Sequence, residues 1–223
     1  MSFVINPMPP QLSAAVIAKL NQAETATIGH TRHWGFMDRR IQAVIPTVRI
    51  AGTAITLQLP AQDSALLHHA LGLVRPGDVL VIDRLGDDKH ACVGGVVALA
   101  AKLAGVAAAV IDGPATDFSE IRDCGFPVWC RGPSPITTRA YALGGALNKP
   151  ASCGGVTVSP GDAVLLDENG VLVLPPGEAE AVADAAIARQ ALTAERVERV
   201  KRGEKLGDIS GASAKIAAAM KGA

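Results

Sequence analysis

Asp78-Val-Leu-Val-Ile-Asp83 and Val106-Ala-Ala-Ala-Val-Ile111 are two apolar runs of strand length, and a single helix-length stretch, Gly94 to Ala104, separates them. Strands that are apolar on every residue must be covered on both faces, which is the signature of parallel pairing through a crossover helix. Gly105 closes the intervening helix and a glycine-containing loop opens it. The three elements therefore read as a βαβ unit of an α/β protein. The whole stretch from Val96 to Ile111 is apolar apart from Lys102 and Gly105, so it reads as a buried helix followed by a buried strand. It is too short and too broken to cross a bilayer.

The flanking chain extends this pattern. Leu12, Val16, Ile17 and Leu20 recur at helical spacing and predict a helix from about Pro10 to Gln22. Arg49 to Pro60 partly alternates apolar and polar residues, as a half-buried strand does, and its proline ends it. Asp63 is placed to cap a helix carrying Leu66, Leu67, Ala70 and Leu71 that stops at Arg75-Pro76-Gly77. Asp117 to Arg122 predicts a short helix and Pro127 to Cys130 a strand. From Pro150 to Pro175 the sequence alternates, with turns at Pro160-Gly161 and Asn169-Gly170, the second being a strong hairpin signal. Glu178 to Lys205 is Ala-rich, helical, and increasingly charged. The chain is expected to be one domain over residues 1–223, with a terminal helix able to reach a neighbour.

Composition narrows the function classes. Of 223 residues, 49% are hydrophobic but only 3% aromatic, so the core is built from Ala, Val, Leu and Ile. Lys plus Arg equals Asp plus Glu at 21 each, and this neutral balance offers no electrostatic footprint for nucleic acid. Neutrality also removes charge repulsion against self-association. The N-terminus lacks the pattern of a secretory signal. Cys92, Cys124, Cys130 and Cys153 show no metal-type spacing and read as reduced thiols, which together with the N-terminus points to the cytoplasm.

Ligands of α/β sheets sit at the carboxyl ends of parallel strands, which directs attention to two loops. The first, Arg84 to Val93, leads into Gly94-Gly95-Val96-Val97. Paired glycines at a helix start leave N–H groups open to an anion, or merely allow tight packing; the sequence leaves both open. The second loop is Asp112-Gly-Pro-Ala-Thr-Asp117. Asp117 is either a helix cap or a Mg²⁺ ligand, and Asp112 is placed to orient the loop. Arg84, directly after the strand, is a candidate to point a guanidinium into the cleft. Asp87, Asp88 and His90 form a charged cluster that reads as solvated surface. His68 and His69 lie on a helix, one of them facing the core or a subunit contact, whereas His30 and His33 lack metal-ligand spacing.

Taken together, several segments resemble the RraA-like family, which includes 4-hydroxy-4-methyl-2-oxoglutarate aldolases and was once labelled as menaquinone methyltransferases. The matching features are GFMDRRI at 35–41, VRIAGTAIT at 48–56, RPGDVLVID at 75–83, the Gly94-Gly95 helix start and GVAAAVIDG at 105–113. Asp117, GFPVWCRGPSP at 125–135 and SCGGVTVSPGDAVLLDENGVLVLP at 152–175 match as well.

The resemblance implies a swivelling β/β/α domain, a trimer or a pair of trimers, and a site between subunits. It implies a lyase that releases pyruvate from small hydroxy-oxo-acids, or decarboxylates oxaloacetate, with Mg²⁺ or Mn²⁺ polarising the substrate. By position Asp117 is the metal aspartate, and Gly94, Gly95, Val96 and Val97 hold the substrate carboxylate. Two positions depart from the family pattern. The arginine before the metal aspartate is Thr116 here, and the acid of the helix-start loop is Gly95. Arg84 is the candidate for the missing charge and Asp87 or Asp88 for the missing acid. The same departures keep open a non-catalytic regulator, since some family members are associated with ribonuclease inhibition. No strand–loop–acid arrangement for S-adenosylmethionine is present.

Overall fold

The computed structural model describes residues 2–221. Eleven strands appear among them: β1 (Phe3–Ile5), β2 (Gln42–Ala43), β3 (Ile50–Gln58), β4 (Asp78–Asp83), β5 (Ala108–Ile111), β6 (Val128–Cys130), β7 (Gly145–Leu147), β8 (Ala151–Cys153), β9 (Val156–Val158), β10 (Ala163–Asp167) and β11 (Gly170–Leu174). The helices are α1 (Ala14–Leu20), α2 (Thr25–Ile28), α3 (Ala65–Ala70), α4 (Gly95–Leu103), α5 (Phe118–Cys124), α6 (Pro176–Lys201), α7 (Leu206–Ile209) and α8 (Ala212–Lys221).

The expected βαβ unit is present. β3, β4, β5 and β6 are consecutive parallel neighbours, with Leu80 opposite Ile55 and Ala109. The free edge of β3 is shared: its first half takes β10 antiparallel and its last two residues take β7. β3 is thus central and buried almost throughout, where alternation alone predicted a half-buried strand.

Period-two geometry divides the strand side chains between two cores. Leu80 and Ile82 of β4 join the helix-side cluster with Ala98, Ile121 and Phe126. Val79 and Val81 face the other way, toward Trp129, Val164 and Leu166. Trp129 is fully buried, and its indole N–H donates to Asp167 O at 3.0 Å. A third cluster seats α1 and α6 on the β10–β11 hairpin through Leu20, Leu165 and Ala183.

Several boundaries shift for local reasons. α1 begins only after Ser13, whose hydroxyl accepts the Val16 N–H, while Leu12 N–H is diverted to Thr53 Oγ1. β8 and β9 form a hairpin that turns at Gly154-Gly155, ahead of the expected Pro160-Gly161 turn. The Asn169-Gly170 turn joins β10 to β11 as expected.

One expectation is reversed. α4 buries only Gly95, Ala98 and Ala101 against the sheet, whereas Val96, Leu99 and Leu103 are 82%, 47% and 79% exposed. Small residues face the strands because they let the backbone approach closely. The larger apolar residues, at i, i+3 and i+7, form an open stripe on the outer face. Among the described residues no helix is long and apolar enough to cross a membrane.

Candidate functional site

The carboxyl ends of β4 and β5 open into a cleft of about 360 Å³ lined by Gly94, Val96, Val97, Thr116 and Asp117. The two loops singled out from sequence do converge. Asp117 sits at the N-cap of α5 but gives that helix no side-chain cap. Its backbone is left-handed, with φ of 52°, a conformation an aspartate tolerates better than most residues. In that conformation the carboxylate turns back to α4: Oδ2 accepts the Gly95 N–H at 3.2 Å and Oδ1 the Thr116 hydroxyl at 3.2 Å.

Gly94, the N-cap of α4, has no side chain to offer. The first-turn N–H groups of Val96 and Val97 therefore lack a side-chain cap, and both residues line the cleft at the positive end of the helix. Space explains the glycine at 94. A Cβ there would lie 2.5 Å from Asp117 Oδ2 and 2.8 Å from Thr116 Cγ2, so a side chain would drive the carboxylate away.

Arg84 is not brought to the cleft. Its side chain is fully buried inside its own loop, donating to Ala61 O, to Asp87 Oδ2 at 2.9 Å and to His90 O at 3.4 Å. Asp87 is committed as well: besides Arg84 it takes the His90 imidazole Nδ1 at 3.1 Å. Burial alone would raise its carboxyl pKa, but the bonds from His90 and Arg84 outweigh that and hold it below the ordinary value. The cluster is thus a loop brace, and only Asp88 is the exposed acid that sequence suggested. Asp112 orients its surroundings as anticipated, accepting from Arg131 Nε and from Gly154 N at 2.8 Å.

The opposite wall was not foreseen. Segment 136–140 is stitched to the first loop through Ala91 N to Ile136 O at 2.8 Å and Thr138 N to Ala91 O at 3.1 Å. It is tied to residues 62–64 through Arg139 N to Gln62 O at 2.8 Å and Ser64 N to Arg139 O at 2.9 Å. This brings Arg139, Ser64 and His68 to the cleft. Among the described residues the Arg139 guanidinium bonds only to Thr137 and Thr138, leaving its charge without a carboxylate. His68 and His69 are both exposed, so neither enters the core of the chain. Cys92 lines the cleft too, but burial pushes its thiol up to about 11, which leaves it protonated and a poor nucleophile. All four cysteines are free.

Among the described residues no group of three or more His, Cys, Asp and Glu stands ready as a metal cage. What the cleft offers is one exposed carboxylate, Asp117, with no cationic partner and with the Thr116 hydroxyl bonded to it; His68 and the buried Cys92 lie on the cleft wall as well. A single carboxylate beside a hydroxyl fits Mg²⁺ or Mn²⁺, which bind through one or two carboxylates and keep several waters.

The RraA-like family profile, described as Aldolase/RraA, matches residues 21–173. The chain belongs to the RraA-like family. A candidate 4-hydroxy-4-methyl-2-oxoglutarate aldolase of Halalkalibacterium halodurans is 37% identical over 143 residues, covering 64% of this chain and 68% of its own. The crystal structure of Streptomyces coelicolor RraAS2, described as an unusual member of the RNase ES inhibitor RraA family, superposes with a TM-score of 0.73 at 28% identity, over 85% of this chain and 99% of that one. An RNA-processing inhibitor RraA from Thermus superposes with a TM-score of 0.62 at 28% identity, over 69% of this chain and 93% of that one. The mixed α/β architecture expected from sequence is thus that of the RraA-like fold, and relatives named as aldolases stand beside relatives named as inhibitors.

Proposed function

We propose that this RraA-like chain is a divalent-metal-dependent lyase that releases pyruvate from a small hydroxy-oxo-acid or decarboxylates an oxo-diacid. The observation that carries the reading is the Asp117 carboxylate, free of any cation and set beside the open first turn of α4. Asp117 would hold Mg²⁺ or Mn²⁺, and that ion supplies Lewis-acid polarisation of the substrate's oxo group. Thr116 donates to Asp117 and fixes the carboxylate's orientation. The N–H groups of Val96 and Val97, with Gly94 and Gly95 leaving room for close approach, receive the substrate carboxylate next to the oxo group. We assign the positive charge missing at position 116 to Arg139 and withdraw Arg84 from that role.

Following the family resemblance, the working form is a cytoplasmic homo-oligomer, a trimer or hexamer, with the cleft at the subunit boundary. The test is pyruvate release, coupled to lactate dehydrogenase, from oxaloacetate and 4-hydroxy-4-methyl-2-oxoglutarate with Mg²⁺, Mn²⁺ or EDTA, against protein-free controls. Turnover that survives EDTA, or none with either metal, refutes the lyase reading. Within it, Arg139→Ala is expected to raise KM for a dicarboxylate by roughly 10- to 100-fold, the loss of one charge-assisted contact, with kcat less affected. An unchanged KM would remove Arg139 from the site.

A second reading rests on the exposed Val96–Leu99–Leu103 stripe beside the cleft. An apolar patch of this kind suits a protein partner, in keeping with a non-catalytic regulator. Stable capture of a purified ribonuclease, lost in Leu103→Asp, together with no turnover, would favour it.

A further inference from the structure

The Glu120 carboxylate lies directly against the first turn of α4. A Cβ built on Gly95 would collide with Glu120 Oε2 and stand 2.8 Å from Glu120 Cβ. The place a side chain at residue 95 would occupy is therefore already filled by a carboxylate from α5. Gly95 has φ outside the left-handed region, so backbone conformation does not require glycine there and the collision does. Glu120 makes no hydrogen bond or ion pair among the described residues; the Arg122 and Lys102 side chains of α5 and α4 donate to Val44 O and Cys124 O. Asp117, the N-cap of α5, and Glu120, in its first turn, both come to Gly95: Asp117 Oδ2 accepts the Gly95 N–H at 3.2 Å, and Glu120 fills the space where a Gly95 side chain would start. The shallow groove holding Glu120 adjoins the Asp117 cleft at Val96, which lines both.

We infer that Glu120 supplies, from α5, the second acid of the cation site, in place of the acid that residue 95 does not carry. The inference rests on the metal-dependent reading above and assigns one of its residues. Glu120 acts as a positioning residue toward the cation and its waters. The Gly95–Glu120 pair is then a compensated exchange: the glycine makes the room and the glutamate brings the charge.

Mn²⁺ binding to the full chain, followed by the electron paramagnetic resonance signal of the free ion, tests this without relying on activity. Glu120→Gln is expected to weaken Mn²⁺ roughly 10-fold with an unchanged melting temperature, and Gly95→Ala to weaken it similarly by displacing the carboxylate. The combined variant Gly95→Glu with Glu120→Gly, which also removes the Glu120 Cβ that would stand 2.8 Å from the new one, returns an acid to the other side of the same contact and is expected to recover most of the affinity. A merely structural Glu120 would leave Mn²⁺ affinity unmoved in Glu120→Gln and gain nothing from the exchange. Wild-type binding and turnover with an unaffected Glu120→Gln overturns this inference alone. No Mn²⁺ binding by the wild type overturns it together with the metal-dependent lyase reading.

Discussion

Asp117→Asn is expected to abolish metal-dependent pyruvate release, a loss of at least about 10³-fold, while the protein folds as before. Asparagine tolerates the left-handed backbone at φ 52° and can still accept the Gly95 N–H. It removes only the charge. Asp117→Ala removes the acceptor as well and places a less tolerant residue in that conformation, so it should be equally inactive and less stable by roughly 1–2 kcal/mol. The pair separates charge from structure: two dead enzymes of different stability identify the carboxylate's charge as the requirement. An Asp117→Asn protein that turns over normally would show that Asp117 serves α4 as a cap and nothing more. Binding supports the same distinction, since the asparagine variant should also lose Mn²⁺.

The halves of this site were not equally legible in the sequence. Gly94 to Val97 and Asp117 follow β4 and β5 directly, so once two apolar runs are recognised as parallel strands, their loops must meet. Arg139, Ser64 and His68 join through hydrogen bonds between segments some 75 residues apart, and nothing in local spacing announces such a stitch. Arg84 misled for a related reason. Its place after β4 is that of a site residue, but the loop folds back and buries the guanidinium, whose Nη2 braces Asp87 and the Ala61 carbonyl while Nε and Nη1 find no partner among the described residues. Glu120 carries no signal in the sequence, and only the filled space above Gly95 draws attention to it.

The fold shows the same division. Long apolar β4 and the Asn169-Gly170 hairpin carry their own signals, whereas β1, β2 and β7 have two or three residues and partners far along the chain. Apolarity taken along the sequence alone predicts a buried α4. Which face meets the sheet is decided by size, with Gly95, Ala98 and Ala101 turned inward. α6 follows that rule too: Ala179, Ala183 and Ala186 are buried, and beyond Gln190 the helix is exposed apart from half-buried Arg199.

Asp63 ties the fold to the site, and its replacement should be the most damaging change outside the hydrophobic core. The residue is 1% exposed and anchors the chain that carries Arg139. Its Oδ1 accepts the N–H groups of Ala65 at 2.9 Å and Tyr141 at 3.0 Å, and its Oδ2 that of Leu143 at 2.6 Å. Asp63→Ala orphans three N–H donors and is expected to cost about 3–4 kcal/mol, lowering the melting temperature by roughly 6–15 °C for a chain of this size. Asp63→Asn should cost less, because its oxygen keeps two donors while its NH₂ opposes Leu143 N–H. Burial by itself would raise the Asp63 carboxyl pKa, but the backbone N–H groups more than offset this and hold it below the ordinary value. A depressed folded value means that the charged form stabilises the fold at neutral pH, and that this contribution fades as pH falls below about 4, the ordinary carboxylate range. The stability gap between wild type and Asp63→Asn should therefore be full at pH 7 and narrow on acidification. A gap that stays constant down to pH 3 would mean that the carboxylate's charge has no part in holding the Arg139 wall.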